Sequence, residues 1–425
     1  MSIVVASGRA LRGDVRVPGD KSISHRAVLL GALARGTTPV DGFLRAEDCL
    51  ATVRCVRALG VEVDDDGERL AVHGGALRQP ADVLDVGNSG TTIRLLAGIL
   101  AGQPFRSTLT GDASIRRRPM DRIAEPLRRM GARITGRDGG RLAPLTVEGG
   151  GLRAIAYATP VASAQVKSAI LLAALFADGE TAVTEPSLSR DHTERMLAGF
   201  GVPVVREGLI VRLRGPAAPA AAPVHVPGDI SSAAFFLVAA AMVPGSVVTV
   251  RDVGLNPTRT GVLDVLRAMG ASVDIDNARE DGGEPSGDVT VRAASLRGTT
   301  IGGDLVPRLI DELPVLAVAA SVAEGETVIK DAAELRVKES DRIAALAREL
   351  GAIGARIEAQ PDGLAIRGVP RLRGGRAASG GDHRVAMALA VAGLRAVDPV
   401  TVDDTDCIRT SFPGFEETLR RLTGA

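Results

Sequence analysis

One phrase recurs along this chain and limits what it can fold into. It reads as an apolar helix, a glycine turn, a strand, a polar loop, an amphipathic helix ending in Leu or Met before Gly, and a further strand. The phrase returns about every 70 residues, as expected of stacked supersecondary units rather than one continuous core. Its first copy runs from a helix at 24–34 through a strand at 37–43 and a loop at 44–48 to Leu59-Gly60. The second opens at Asn88-Ser89-Gly90-Thr91 and ends its helix at Met130-Gly131, and the third runs from Ser163-Ala164-Gln165 to Phe200-Gly201. A Pro/Ala-rich stretch at 213–223 follows, readable as an inter-domain connector or a surface loop. Three further copies open at Pro227-Gly228-Asp229, at Asp311-Glu312-Leu313-Pro314 and at Gly381-Asp382-His383-Arg384. Thr/Val strands between the helices favour alternating α and β over a purely helical array.

The start of the first copy is chemically dense. Val17-Pro18-Gly19-Asp20-Lys21-Ser22-Ile23-Ser24-His25-Arg26 places a breaker and a candidate N-cap, Asp20, ahead of two cations and a long apolar helix. Lys21 to Ser24 then fall in the first helical turn, where free N–H groups and the helix dipole favour an anion. Val-Pro-Gly-Asp recurs at 226–229, again before a long apolar helix. Basic side chains stand just ahead of the second helix in several copies: Arg118, Arg190, Arg259, then Lys338, Arg342 and Arg409. Equivalent positions in stacked repeats tend to face one side, so these loops and helix starts are expected to line one cationic cleft.

The rest of the chain carries no such charge bias. Lys plus Arg equals Asp plus Glu at 51 each, which argues against recruitment by nucleic acid or an anionic membrane. One Tyr, no Trp and eight Phe leave little for base stacking. Three cysteines in no pair-like spacing suit a reducing compartment, and no run of 18 apolar residues suggests a membrane span. The scattered histidines and the lack of a Walker-type motif point to no metal and no nucleotide. These readings favour a cytoplasmic chain without cofactors.

Gly19-Asp20-Lys21-Ser22-Ile23-Ser24-His25-Arg26, Gly87-Asn88-Ser89-Gly90-Thr91, Arg118-Pro119-Met120, Ser163-Ala164-Gln165, Asp311-Glu312, Lys338-Glu339-Ser340-Asp341-Arg342 and Asp382-His383-Arg384 occur in this order over nearly the whole chain. Together they resemble the 5-enolpyruvylshikimate-3-phosphate (EPSP) synthase, or 3-phosphoshikimate 1-carboxyvinyltransferase, family, with class II-like motifs. The resemblance implies an α/β (α+β) fold of two domains, each of three βαβαββ-type repeats, with the active site in the cleft between them. It divides the chain into 20–226 and a discontinuous 1–19 with 227–425, hinged near 18–20 and 226–229. It also implies a monomer acting on phosphoenolpyruvate and shikimate 3-phosphate.

By the same resemblance Asp311 is the base, Glu339 the acid and Lys21 a catalytic cation. Shikimate 3-phosphate would meet Lys21, Ser22, Arg26, Ser163, Ala164, Gln165, Arg190, Asp311 and Lys338, and phosphoenolpyruvate Lys21, Gly90, Arg118, Gln165, Arg342 and Arg384. Taken alone, Asp311 reads as a helix cap and 338–342 as a solvated helix face with i, i+4 charges. Two rivals remain. The sister family acting on a UDP-amino sugar places a Cys in the loop equivalent to 111–119 and Lys-Asn where this chain has Lys21-Ser22, and neither is present. A non-catalytic anion-binding homologue could dispense with carboxylates, yet Asp311 and Glu339 are both kept. Some glyphosate-tolerant members carry Ala where this chain has Gly90. Arg409 receives no firm role.

Overall fold

The computed structural model describes residues 1–7 and 9–424. The chain forms two compact units. The first comprises Gly19–Val226 with Glu280–Glu284, and the second Met1–Pro18, Pro227–Arg279 and Pro285–Ala425.

Each unit repeats one build: an inner apolar helix, a strand, an outer amphipathic helix and an antiparallel pair of strands. In the first unit the inner helices are α1 (Lys21–Leu33), α2 (Gly90–Ala101) and α3 (Ala164–Ala174). In the second they are α4 (Ile230–Met242), α5 (Leu313–Val322) and α6 (His383–Gly393). All residues of α4 and α6 are buried, as expected of helices without a polar face. Polar caps start most of them. Asp20, Ser89, Ser163, Asp229 and Asp382 each accept a hydrogen bond from a backbone N–H one turn ahead. At Gly98 a Cβ would lie 2.2 Å from the carbonyl oxygen of Ala169, so the close approach of α2 to α3 needs glycine. The outer helices, such as Asp121–Met130 and Arg342–Ala352, bury one face only.

Five four-stranded sheets share one order: a short leading strand parallel to its neighbour, then two antiparallel pairings. In the second repeat Leu84–Asp85 runs parallel to Arg106–Thr110, which pairs with Leu142–Glu148 and through it with Arg133–Gly136. The leading strand of repeat one comes from the far end of the unit, where Val224–His225 runs parallel to Gly36–Asp41. Repeat four likewise takes Arg12–Val15, parallel to Val247–Gly254. The last repeat departs from the pattern. It lacks a hairpin of its own, and the N-terminal strand Ser2–Val5 pairs antiparallel with Val400–Asp403 to give three strands.

The Pro/Ala-rich stretch is no free connector. Its backbone bonds to Leu175, Phe200 and Arg35, which fasten it along the first unit. In the second unit Phe235, Phe236, Phe412 and Phe415 stack with ring centroids 5.6–5.8 Å apart, joining α4 to the C-terminal helix Phe415–Thr423. No helix among the described residues is long and apolar enough to cross a membrane.

Candidate active site

In the first unit the named side chains gather where inner helices begin. Asp20 accepts from the N–H of Ile23 at 2.9 Å and so fixes the turn that carries Lys21 and Ser22. Lys21 is ion-paired with Asp48 at the start of the outer helix Glu47–Ala58. One turn on, Arg26 is buried, and it donates to Thr193 Oγ1 at 2.6 Å, Ser168 Oγ at 2.8 Å and the Ser22 carbonyl at 2.9 Å. All these acceptors are neutral. Burial lowers the Arg26 pKa to about 10, nearby Glu194 and Asp20 oppose the shift, and the charge of Arg190 adds to it. His25 beside it is held well below its ordinary pKa by burial and by Lys21 and Arg26, so it stays neutral.

The starts of α2 and α3 form a second group. Ser163 caps α3, and Ala164 and Gln165 are its first residues. Gln165 accepts from Arg94 Nη1 at 2.8 Å and donates to Thr91 Oγ1 at 3.0 Å. Arg118 donates to Asn88 Oδ1 at 3.0 Å, while Asn88 donates to Asp112. A Cβ on Gly90 would stand 2.8 Å from Arg94 Nη1 and 3.0 Å from Arg118 Nη1, so both guanidinium groups lie against the bare glycine.

The second unit assembles around buried Arg342. Its Nε donates to Asp382 Oδ2 at 2.8 Å, Nη2 to Glu339 Oε2 at 2.7 Å and Nη1 to Asp311 Oδ1 at 3.3 Å. Burial alone would lower its pKa, but Asp382, Glu339 and Asp311 outweigh that and hold it above the ordinary arginine value. Asp382 is held below its usual range: burial would raise it, and Arg342 more than reverses this. Asp311 also faces Lys338 and Arg384, each at 3.8 Å. Asp311 and Glu339 therefore share one cation while keeping partly accessible side chains, at 14% and 24%.

The local readings of these residues differ from what the structure holds. The residue that caps α5 is Glu312, which makes no side-chain cap bond. The run 338–340 precedes its helix, which begins at Arg342 behind the cap Asp341. Arg259, expected among the cleft cations, is buried and tied to Asp229 at 3.2 Å. Sequence reasoning passed over Arg94, Asp48, Thr193 and the role of Asp382. Arg94 carried a signal, being the lone charge in the apolar stretch Gly90–Ala101 and one turn beyond Gly90. The others are reached only through long-range packing.

A build of two units with three repeats to each is shared with solved EPSP synthases. The sequence model of EPSP synthase (3-phosphoshikimate 1-carboxyvinyltransferase) matches residues 5–419. The chain belongs to that family. It is 58% identical over 426 residues to the 3-phosphoshikimate 1-carboxyvinyltransferase of Desulforudis audaxviator, covering 99% of each chain. With that of Geobacillus kaustophilus the identity is 57%, over 97% of this chain and 98% of the other. The solved EPSP synthase from Acinetobacter baumannii superposes with a TM-score of 0.89 at 46% identity, covering 99% of this chain and 98% of that one.

Proposed function

We propose that this chain transfers the enolpyruvyl group of phosphoenolpyruvate to the 5-hydroxyl of shikimate 3-phosphate and releases phosphate, a step of the shikimate pathway toward chorismate and the aromatic amino acids. Family membership supports the overall reaction. The observation that supports the assignment of roles is the pair Asp311 and Glu339 held around one buried guanidinium.

Addition joins the 5-oxygen to C2 of the enolpyruvyl group. Asp311 takes the hydroxyl proton while Glu339 delivers a proton to the methylene carbon C3. Elimination then breaks the C2–O bond to phosphate, Glu339 recovers a proton from the methyl carbon, and the proton held by Asp311 leaves with the phosphate. Lys21 and Lys338 stabilise charge that develops during both steps.

Binding follows the chemistry of polyanions. Shikimate 3-phosphate is assigned to Lys21, Ser22, Arg26, Ser163, Ala164, Gln165 and Arg190, with Asp311 and Lys338 at its 5-hydroxyl. A phosphate would give buried Arg26, whose acceptors are all neutral, the anionic partner it lacks among the described residues. Phosphoenolpyruvate is assigned to Lys21, Gly90, Arg118, Gln165, Arg342 and Arg384, where planar guanidinium groups suit carboxylate and phosphate.

The reading extends to a cytoplasmic monomer. Three free cysteines, Cys49, Cys55 and Cys407, suit a reducing compartment, and sedimentation checks the mass. Phosphate release with shikimate 3-phosphate against a UDP-amino sugar tests the function. Release with the first alone is expected, and release only with the second would overturn it.

A further inference from the structure

The two copies of Val-Pro-Gly-Asp use their helix starts differently. In the first, the turn after Asp20 carries Lys21, and Arg26 follows one turn on. In the second, Asp229 accepts from the N–H of Ser231 at 2.8 Å and so shapes the start of α4. Ser231 Oγ donates to Glu312 Oε1. Arg259 Nη2 lies 2.7 Å from Ser231 Oγ and 3.9 Å from Glu312 Oε1. Both Arg259 and Glu312 are buried, at 2% and 1%. A helix start, a serine hydroxyl and an arginine make an anion site, and here the anion is a carboxylate of the chain itself.

Glu312 directly follows Asp311. Its Oε1 also lies 4.0 Å from Arg384 Nη1, and the same nitrogen donates to the Asp311 carbonyl at 3.3 Å. We propose that Glu312 is a built-in anion seated at the start of α4, and that it acts as a positioning residue which fixes the backbone of Asp311 and the guanidinium of Arg384. The inference rests on the roles given above to Asp311 and Arg384. Removing the carboxylate takes an acid from Arg259 and lets the segment before α5 shift, and close placement of a catalytic group is worth orders of magnitude in rate.

The test is Glu312→Ala assayed with and without sodium formate, against sodium chloride of equal ionic strength. The expected result is a fall in kcat of roughly tenfold or more and a rise of similar size in KM for phosphoenolpyruvate, with KM for shikimate 3-phosphate within about twofold of wild type. Formate should restore most of the loss and chloride should not. Equal rises in both KM values, or no advantage of formate over chloride, would overturn the proposal. Should the alanine variant fail to fold, Glu312→Gln keeps the shape without the charge, and it should give the same KM split; wild-type kinetics in that variant would overturn the proposal. If the wild-type chain itself shows no turnover, the functional reading fails separately. The seat for an anion is then judged by whether formate raises the Tm of Glu312→Ala more than chloride does, and no such rise would overturn it.

Discussion

Arg26 is a buried charge whose direct hydrogen-bond acceptors are all neutral, and the more distant carboxylates of Glu194 and Asp20 only partly offset its desolvation, so the guanidinium is under-compensated until an anion arrives. Ligand should therefore stabilise the folded chain through this residue. In thermal unfolding, shikimate 3-phosphate at about 100 times its Kd is expected to add roughly 2.7 kcal/mol to the wild type. Arg26→Met should lose most of that gain while its ligand-free Tm moves little. Asp311→Asn and Glu339→Gln address the chemistry instead. Each keeps its shape and leaves Arg342 two other carboxylates, so turnover should fall by roughly 10² or more while substrate binding, measured by calorimetry, persists. Unchanged turnover in either variant removes that residue from the mechanism. Gly90→Ala sets a methyl against the ends of Arg94 and Arg118, which must move aside. The methyl should weaken glyphosate, the longer ligand, more than phosphoenolpyruvate, and the ratio of Ki to KM measured for both proteins decides it.

At the scale of elements, Asp382 joins two helices. It caps α6 through the N–H of Arg384 at 3.0 Å and takes the Nε of Arg342 at 2.8 Å. Its folded pKa lies below the unfolded value, so the stability it contributes is present above about pH 4 and disappears as pH falls through the folded value. The stability gap between wild type and Asp382→Asn should accordingly be full at neutral pH and shrink in acid, as urea unfolding at several pH values would report. A gap independent of pH would mean that the cap geometry, not the charge, is what matters. The inner helices were legible in advance because local chemistry specifies them: a capping Asp or Ser, a polar first turn, then an apolar run, as after Asp20 and Ser89. Leading strands such as Leu84–Asp85 and Thr300–Ile301 were not, since two residues carry no period and their pairing is set by partners far along the chain. The grouping of Glu280–Glu284 with the first unit was equally hidden, because that segment lies within a stretch whose neighbours belong to the second. Site residues carried by motifs could be named; Asp48, Thr193 and the linking role of Asp382 depend on contacts that only folding creates.

The whole molecule is two units of unequal independence. The first draws the leading strand of its opening repeat, Val224–His225, from its own end. The second depends on the first eighteen residues, which supply Arg12–Val15 to one sheet and Ser2–Val5 to another. Deleting residues 1–18 should leave a protease-resistant fragment near 19–226 while the remainder is digested, and mass spectrometry of a limited digest reads this directly. Survival of the second unit would show that these strands are dispensable.

The N-terminal strands also set an order of events during synthesis. Ser2–Val5 is synthesised well before its partner Val400–Asp403, which lies nearly four hundred residues downstream. At roughly 5–20 residues per second the wait is about 20 to 80 s. Throughout it, an apolar strand with unpaired edges trails from a nascent chain whose first half can already fold. Translation that stalls before Val400 would leave that edge uncovered and free to pair with other chains.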